Sequence, residues 1–426
     1  MSKTAVNTLD VLYAVGGVIS APFWARKQRG GWSERFGNTP ALPAPHRPRV
    51  LLHAVSVGEV NALRQVVPVL AASCEVVVCA TTDTGLKRAT DLFSANHAVV
   101  RYPLDFSRSV AKFLDAVRPD AVGLVELEVW PNFVGACVAR GIPVGVINGR
   151  LSARSFKGYR RIRGVIGRTF RALSFAAVQD ADYAERFLAM GVPKDRLSIT
   201  GSMKWDAARI EDGVAGADDL ARALKIDRTR PLIVAGSTGP GEEELLYAAC
   251  PAGVQLLCAP RKPERFEDAA TAMPGCVRRS KPGSGRPESG RFLLDSIGEL
   301  RQAYSLATLV VVGRSFGDQY GSDPIEPIAL GRPTLIGPAV SDFANIVREF
   351  ESAGGIGRTD RGTLARDLAR WIGDPEGRSR LAEAGRACIR TNQGASARHA
   401  DLLAEWAVRA AAARSGLGGA AQSGAC

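Results

Sequence analysis

The side chains of this sequence that can do acid, base or phosphate chemistry gather just after short apolar runs. RVLLHAV is followed by Ser56, Gly58 and Glu59. A glycine there lets backbone approach a ligand, and the N–H groups of a starting helix attract an anion. A capped strand-to-helix turn accounts for the same three residues. VELEVWPN (Val125 to Asn132) carries Glu126 and Glu128 at the end of an apolar run, where a strand would place them on one face by its period of two. One of them can equally serve as a structural anchor for Arg150 or Arg154. INGRLSARS contributes Arg150, and GSMKWD, at the end of the last first-half run, contributes Lys204.

The second half repeats the arrangement. VAGSTGPGEEE reads as a strand, a Gly/Ser/Thr loop and an acidic helix start, without the G-K-[ST] ending of a P-loop. Arg261 follows the run VQLLCAP, where a guanidinium can fork onto a phosphate. The stretch from Val310 to Pro338 reads as a strand, a Gly-rich loop and a helix capped by Asp323, with Pro324 at its first position and Glu326 in its first turn. A carboxylate at Glu326 can accept hydrogen bonds from ribose hydroxyls, or simply complement the helix dipole.

The elements that must position these groups alternate in type. Continuously apolar runs separated by helical patterns, such as Val110, Phe113, Leu114 and Val117, predict parallel sheets covered on both faces. The pattern restarts after Trp205, so the expected fold class is α/β, with two Rossmann-like doubly wound domains and a cleft between them. The expected boundaries are an apolar segment over 1–26, a first domain over 27–208, a second over 221–408 and a disordered tail over 409–426. Lys281 to Gly290 is expected to be a mobile loop.

With 426 residues the chain is long enough for two or three domains, and its net charge of +12 points to an anionic partner. Aromatic residues are 7% and are not interleaved with Lys and Arg, so nucleic acid is not the expected partner. Eight cysteines without a C-x-x-C and four histidines offer no zinc site, and no metal or cofactor is expected. Leu9 to Trp24 is apolar apart from Asp10 and is followed by Arg26, Lys27 and Arg29. At ~16 residues it is short for a span. It reads as an in-plane anchor near anionic lipid or as a buried first helix.

Taken in order, ERFG (Glu34 to Gly37), HAVSVGE, YPLD, ELEVWPN, NGRLSARS, GSMKWD, GEE, PRKPERF, DSIGEL, EPIALGRPTLIGP and NQGA (Asn392 to Ala395) resemble the Kdo (3-deoxy-D-manno-octulosonic acid) transferase family. These are inverting glycosyltransferases with the two-domain GT-B fold. The resemblance implies transfer of Kdo from CMP-Kdo to a lipid A precursor during lipopolysaccharide synthesis, at the cytoplasmic face of the inner membrane, without a metal. It implies Glu34 as general base, and an acceptor-side cleft with Ser56, Gly58, Glu59, Glu128, Arg150 and Lys204. It implies CMP contacts from Ser237, Arg261, Ser315, Gly321, Asp323 and Glu326. The chain departs from the family pattern at Gly239, Lys262, Ser322 and Asp323, where the usual residues are His, His, His and Asn. Those departures leave two alternatives, a GT-B enzyme with another nucleotide-sugar donor and a non-catalytic nucleotide- or lipid-binding paralogue.

Overall fold

The apolar runs form two parallel sheets in a computed structural model that describes residues 7–11, 13–15 and 30–422. The first sheet contains β1 (Arg49–Ala54), β2 (Glu75–Ala80), β3 (Ala98–Arg101), β4 (Ala121–Val125), β5 (Val144–Gly149), β6 (Phe175–Val178) and β7 (Leu197–Ile199). Their order is β3-β2-β1-β4-β5-β6-β7. The second contains β8 (Leu232–Thr238), β9 (Gln255–Pro260), β10 (Val277–Arg278), β11 (Arg291–Leu293), β12 (Leu309–Val312), β13 (Thr334–Ile336) and β14 (Gly357–Arg358). Their order is β10-β11-β9-β8-β12-β13-β14. β1 and β8 are fully buried along their length because helices cover both faces. In each sheet the order reverses beside the first strand, between β1 and β4 and between β8 and β12. Ligands of doubly wound folds bind at the carboxyl ends of strands at such a switch point.

The chain divides into two units, Met1–Ala207 with Gln393–Cys426, and Ala208–Asn392. The second unit therefore starts before residue 221, because the helix Ala217–Leu224 buries Leu220 and Leu224 in that unit's core. It also ends before 408. From Ala395 one helix runs to Gln422, and its Ala395, Ala400, Leu403 and Ala407 are buried in the first unit's core. Residues 409–422, expected to be disordered, continue that Ala-rich helix, while 423–426 lie outside the described residues.

Polar groups fix the returning helix. Asp206 accepts hydrogen bonds from the N–H groups of Gly394 at 2.6 Å and Ser396 at 2.5 Å, and Gln393 Nε2 donates to the Trp205 carbonyl at 3.2 Å. The GSMKWD and NQGA segments thus hold each other where the chain leaves and re-enters the first unit. His399 is fully buried; its Nε2 accepts from the Asn148 N–H at 3.2 Å. Burial and the adjacent Arg398 push its pKa down to about 3, so the ring is neutral.

Most of segment 1–26 lies outside the described residues. Residues 8–11 and 13–15 are helical. Asn7 Nδ2 donates to Ser107 Oγ at 2.9 Å, Asp10 accepts from the Ser107 N–H at 2.8 Å, and Tyr13 donates to Asp105 at 3.1 Å. Asp105 also accepts from the N–H groups of Asn132 and Phe133 at 3.0 and 2.8 Å. Asp105 and Ser107 therefore hold Asn7, Asp10 and Tyr13 in place. The Lys281–Gly290 loop, expected to be mobile, is pinned. Arg286 N–H donates to the Gly275 carbonyl at 2.9 Å, and a Cβ at Gly285 would meet the Cys276 carbonyl at 2.2 Å.

Asp206→Ala removes both bonds at the start of the returning helix. Loss of a helix N-cap costs about 0.5–2 kcal/mol, so the denaturation midpoint of the full-length protein should fall. An unchanged midpoint would show that the Asp206 bonds do not hold the helix.

Candidate functional site

Because each sheet is parallel, the polar residues following its strands share one edge. In the first unit, Glu34 lies on the one-turn helix Trp32–Arg35 between Gly31 and Gly37. Both glycines have left-handed φ, and neither tolerates a side chain: a Cβ at Gly31 would meet Arg101 Nε at 2.3 Å, and one at Gly37 would meet the Ser109 carbonyl at 2.2 Å. Arg101, the last residue of β3, donates from Nε to Glu34 at 3.1 Å and from Nη1 to Asp83 at 2.6 Å. Arg35 donates to the same Asp83 at 3.2 Å and to the carbonyls of Gly30 and Thr81 at 3.0 and 3.2 Å. Arg35 and Arg101 side chains are 4% and 8% exposed, whereas that of Glu34 is 43% exposed. Two buried cations thus share the Asp83 carboxylate, and one of them also holds Glu34, both carboxylates staying open to solvent.

Glu126 gathers the remaining candidates of the first unit. It is mostly buried, and burial raises its pKa; Arg150 and Lys204 oppose that rise while Glu59 and Glu128 add to it. β4 ends at Val125 and Glu126, with φ 59°, opens a turn that Glu128 follows, so the strand period expected for them does not apply. Glu128 accepts from Trp130 Nε1 at 2.7 Å, and its Oε2 is 3.8 Å from His53 Nε2. Ser56 and Glu59 are a reciprocal capping box. Ser56 Oγ accepts from the Glu59 N–H, and Glu59 accepts from Ser56 Oγ at 2.9 Å and the Val55 N–H at 2.8 Å. Their structural role is thereby explained. Gly58 has open space, its absent Cβ meeting only Ser56 Oγ at 3.8 Å.

In the second unit the loops after β8 and β12 meet at the switch point. Glu242, 1% exposed, joins them: it accepts from the N–H groups of Gly239 at 2.8 Å, Arg314 at 2.6 Å, Ser315 at 2.9 Å and Phe316 at 3.0 Å. Its neighbour Glu243, fully buried, accepts from Thr238 Oγ1 at 2.6 Å and from both terminal nitrogens of Arg265 at 3.2 and 2.9 Å. Ser237 and Arg314 are held at φ 58°. A Cβ at Gly313 would lie 2.6 Å from the Ser237 carbonyl.

Ser315, expected to meet the donor, is buried instead. Its hydroxyl donates to the Val312 carbonyl at 2.6 Å and accepts from the Gly337 N–H at 2.9 Å, which ties β12 to β13. Gly321 has φ 85°, and its N–H donates to the Arg314 carbonyl at 2.9 Å, which closes the loop. The helix expected to start at Pro324 is Ile325–Ala329, with Pro324 at the N-cap; Asp323 still accepts from the Ile325 N–H at 2.9 Å. Arg301 Nη1 is 3.6 Å from Glu326 Oε1. Burial raises the pKa of Glu326, Arg301 opposing and Asp323 adding. Tyr304, fully buried against Gly236, has its pKa raised by burial, then by Glu326 and Asp323, while Arg261 lowers it. Those three charges therefore face one neighbourhood. Arg261 is exposed, and its guanidinium makes no intramolecular hydrogen bond among the described residues.

Sequence reasoning passed over Arg101, Asp83, Glu126 as a hub, Glu242, Glu243 and Tyr304. The GEE segment was a usable signal for Glu242 and Glu243. Nothing in one sequence links Arg101 to Glu34, 67 positions away.

The sequence model of the family described as "3-Deoxy-D-manno-octulosonic-acid transferase (kdotransferase)" matches residues 30–207. The chain is 31% identical to a 3-deoxy-D-manno-octulosonic acid transferase of Haemophilus influenzae, covering 87% of this chain and 90% of that one. It is 31% identical to the enzyme of the same name from Bordetella pertussis, covering 90% and 95%. Among solved structures it is similar to Anabaena HepE in complex with UDP, with a TM-score of 0.58 at 12% identity, covering 84% of this chain and all of that one.

Glu242→Gln tests the loop junction. The amide NH₂ would face N–H groups that the carboxylate now satisfies, at about 1–3 kcal/mol for each buried donor left unpaired. Thermal stability should fall, and CMP affinity with it. Wild-type values for both would remove Glu242 from the architecture of the site.

Proposed function

The chain belongs to the 3-deoxy-D-manno-octulosonic-acid transferase family, and from that premise we propose how its own residues carry the transfer. It is a glycosyltransferase that transfers Kdo in lipopolysaccharide biosynthesis. Our reading is that CMP-Kdo is the donor, a lipid A precursor is the acceptor and Glu34 is the general base. The observation that carries this is the pairing of a half-exposed Glu34 with the buried Arg101, whose Nε donates to the carboxylate at 3.1 Å and fixes where it points.

In this reading an acceptor hydroxyl oxygen attacks the anomeric carbon of Kdo and its proton passes to Glu34. The bond from that carbon to the phosphate oxygen breaks, the electron pair leaves with CMP, and the anomeric configuration inverts. Arg261, with its exposed guanidinium, is suited to the departing phosphate. Ser237, whose hydroxyl has no intramolecular partner among the described residues, and Glu326 are suited to the nucleotide. Glu128, Arg150 and Lys204 form the acceptor side around Glu126.

Membrane attachment is read from a basic surface. The helices Ala153–Arg161 and Arg163–Ala172 expose seven cations between Arg154 and Arg171, and no Asp or Glu occurs from 129 to 179. None of the seven is ion-paired among the described residues, and Ile162 and Val165 between them are 52% and 58% exposed. Charge and apolar tips together suit the anionic cytoplasmic leaflet. No described helix is long and apolar enough to cross a membrane.

Glu34→Gln should lower transfer about 10²–10⁴-fold while calorimetric CMP binding stays near wild type. Near-normal turnover, or wild-type protein that binds UDP or GDP but not CMP, would overturn the reading. Separately, charge reversal at Arg160, Arg161 and Arg163 should weaken sedimentation with phosphatidylglycerol vesicles and leave binding to neutral vesicles unaltered. Undiminished sedimentation would place the membrane contact elsewhere.

A further inference from the structure

A second cluster of cations lies at the opposite edge of the second sheet. A cavity of about 430 Å³ is lined there by Arg228, Arg230, Arg332 and Arg378, with Thr308 and Ser379. Its floor is Leu232, the first residue of β8, and Pro333, which precedes β13. β8 runs seven residues to Thr238, so about 20 Å of strand separates the cavity from the edge that carries Ser237. This is not the donor edge.

Four guanidiniums here meet one carboxylate, and that carboxylate is already engaged. Asp227 accepts from the Thr229 N–H at 2.9 Å and from Thr229 Oγ1 at 2.7 Å. Arg332 donates from Nη1 to the Ala307 carbonyl and from Nη2 to the Asp212 carbonyl, both at 3.3 Å, yet its Nε is buried without an acceptor among the described residues. Burial lowers its pKa, and the neighbouring Arg228 and Arg386 lower it further, with only Asp212 opposing. The Asp212 carboxylate itself is held by Arg386 at 2.7 Å. Arg230 uses Nε on the Gly253 carbonyl at 3.2 Å, and Arg378 is turned to the carbonyls of Trp371 and Ile372. Arg228 is exposed and makes no intramolecular hydrogen bond among the described residues. The cavity therefore concentrates positive charge that the protein does not neutralise.

We propose that this cavity binds a small phosphate compound of at least two negative charges, at a site separate from that of the sugar donor. Guanidiniums converging from several elements match the tetrahedral oxygens of phosphate, to which arginine donates in forked pairs. The volume suits a diphosphate or a phosphorylated metabolite, within the ~300–1,000 Å³ of small-molecule sites.

The test is calorimetric titration of the full-length protein with inorganic pyrophosphate and, in parallel, with citrate. Pyrophosphate should bind with Kd below ~1 mM. Arg228→Ala, at an exposed position, and the conservative Arg332→Lys should each weaken it about tenfold or more, whereas Arg261→Ala should leave it unchanged. Absence of pyrophosphate binding at millimolar concentration would overturn the proposal, as would binding lost in Arg261→Ala but kept in Arg228→Ala. Citrate binding as tight as pyrophosphate would overturn the assignment to phosphate.

Discussion

The second unit is organised around a carboxylate that solvent does not reach. Burying a carboxyl group is costly unless its oxygens are engaged by hydrogen bonds. Glu242 meets that condition with four backbone N–H groups, one from the turn after β8 and three from the turn after β12. The requirement runs both ways, since those N–H groups point inward and have no water. With Glu242 in place, the left-handed backbone at Ser237 and Arg314 and the contact of Gly313 with the Ser237 carbonyl follow as one arrangement. Glu243 extends it, locking Thr238 to Arg265 and so fixing the strand end from which Arg261 emerges. Residues that look catalytic in the sequence thus divide between those that build the turn, such as Ser315, and those that the turn leaves free, such as Arg261.

The first unit solves a similar problem with charges. Arg35 and Arg101 are buried cations and need anions close by. Asp83 receives hydrogen bonds from both, and the second face of Arg101 is left for Glu34. Removing Asp83 would take a shared carboxylate from two buried guanidiniums, so the position of Glu34 depends on Asp83 as well as on Arg101. Gly31 and Gly37 complete the constraint, because the one-turn helix between them packs too closely on Arg101 and Ser109 to admit a Cβ.

The chain passes between the units twice, and the first unit is complete only after the second passage. Leu403 packs against Gly123 in the middle of β4, and Trp406 stacks on Phe175 with ring centroids 6.0 Å apart. His399 caps the end of β5 as a neutral acceptor for the Asn148 N–H. A domain boundary read from the linear order of strands misses this, because the returning helix carries no strand of its own.

The sequence by itself determined the alternation of strands and helices, hence two parallel sheets and the edge on which polar residues would gather. Runs such as RVLLHAV and LIVAGS are apolar on both faces, and only a sheet covered on both sides accommodates them. The order of the motifs also marked the family before any geometry was known. What tertiary structure alone decided was the use to which each polar side chain is put. Ser56 with Glu59, Ser315, and Glu242 carry the residue types of a site, yet their atoms are consumed by caps and turns. Arg101 and Glu34, or Asp206 and Ser396, come together across 67 and 190 positions. Local pattern is legible in a sequence because period and propensity act over a few residues. Which buried charge finds which partner depends on long-range packing, and that exists only once the chain has folded.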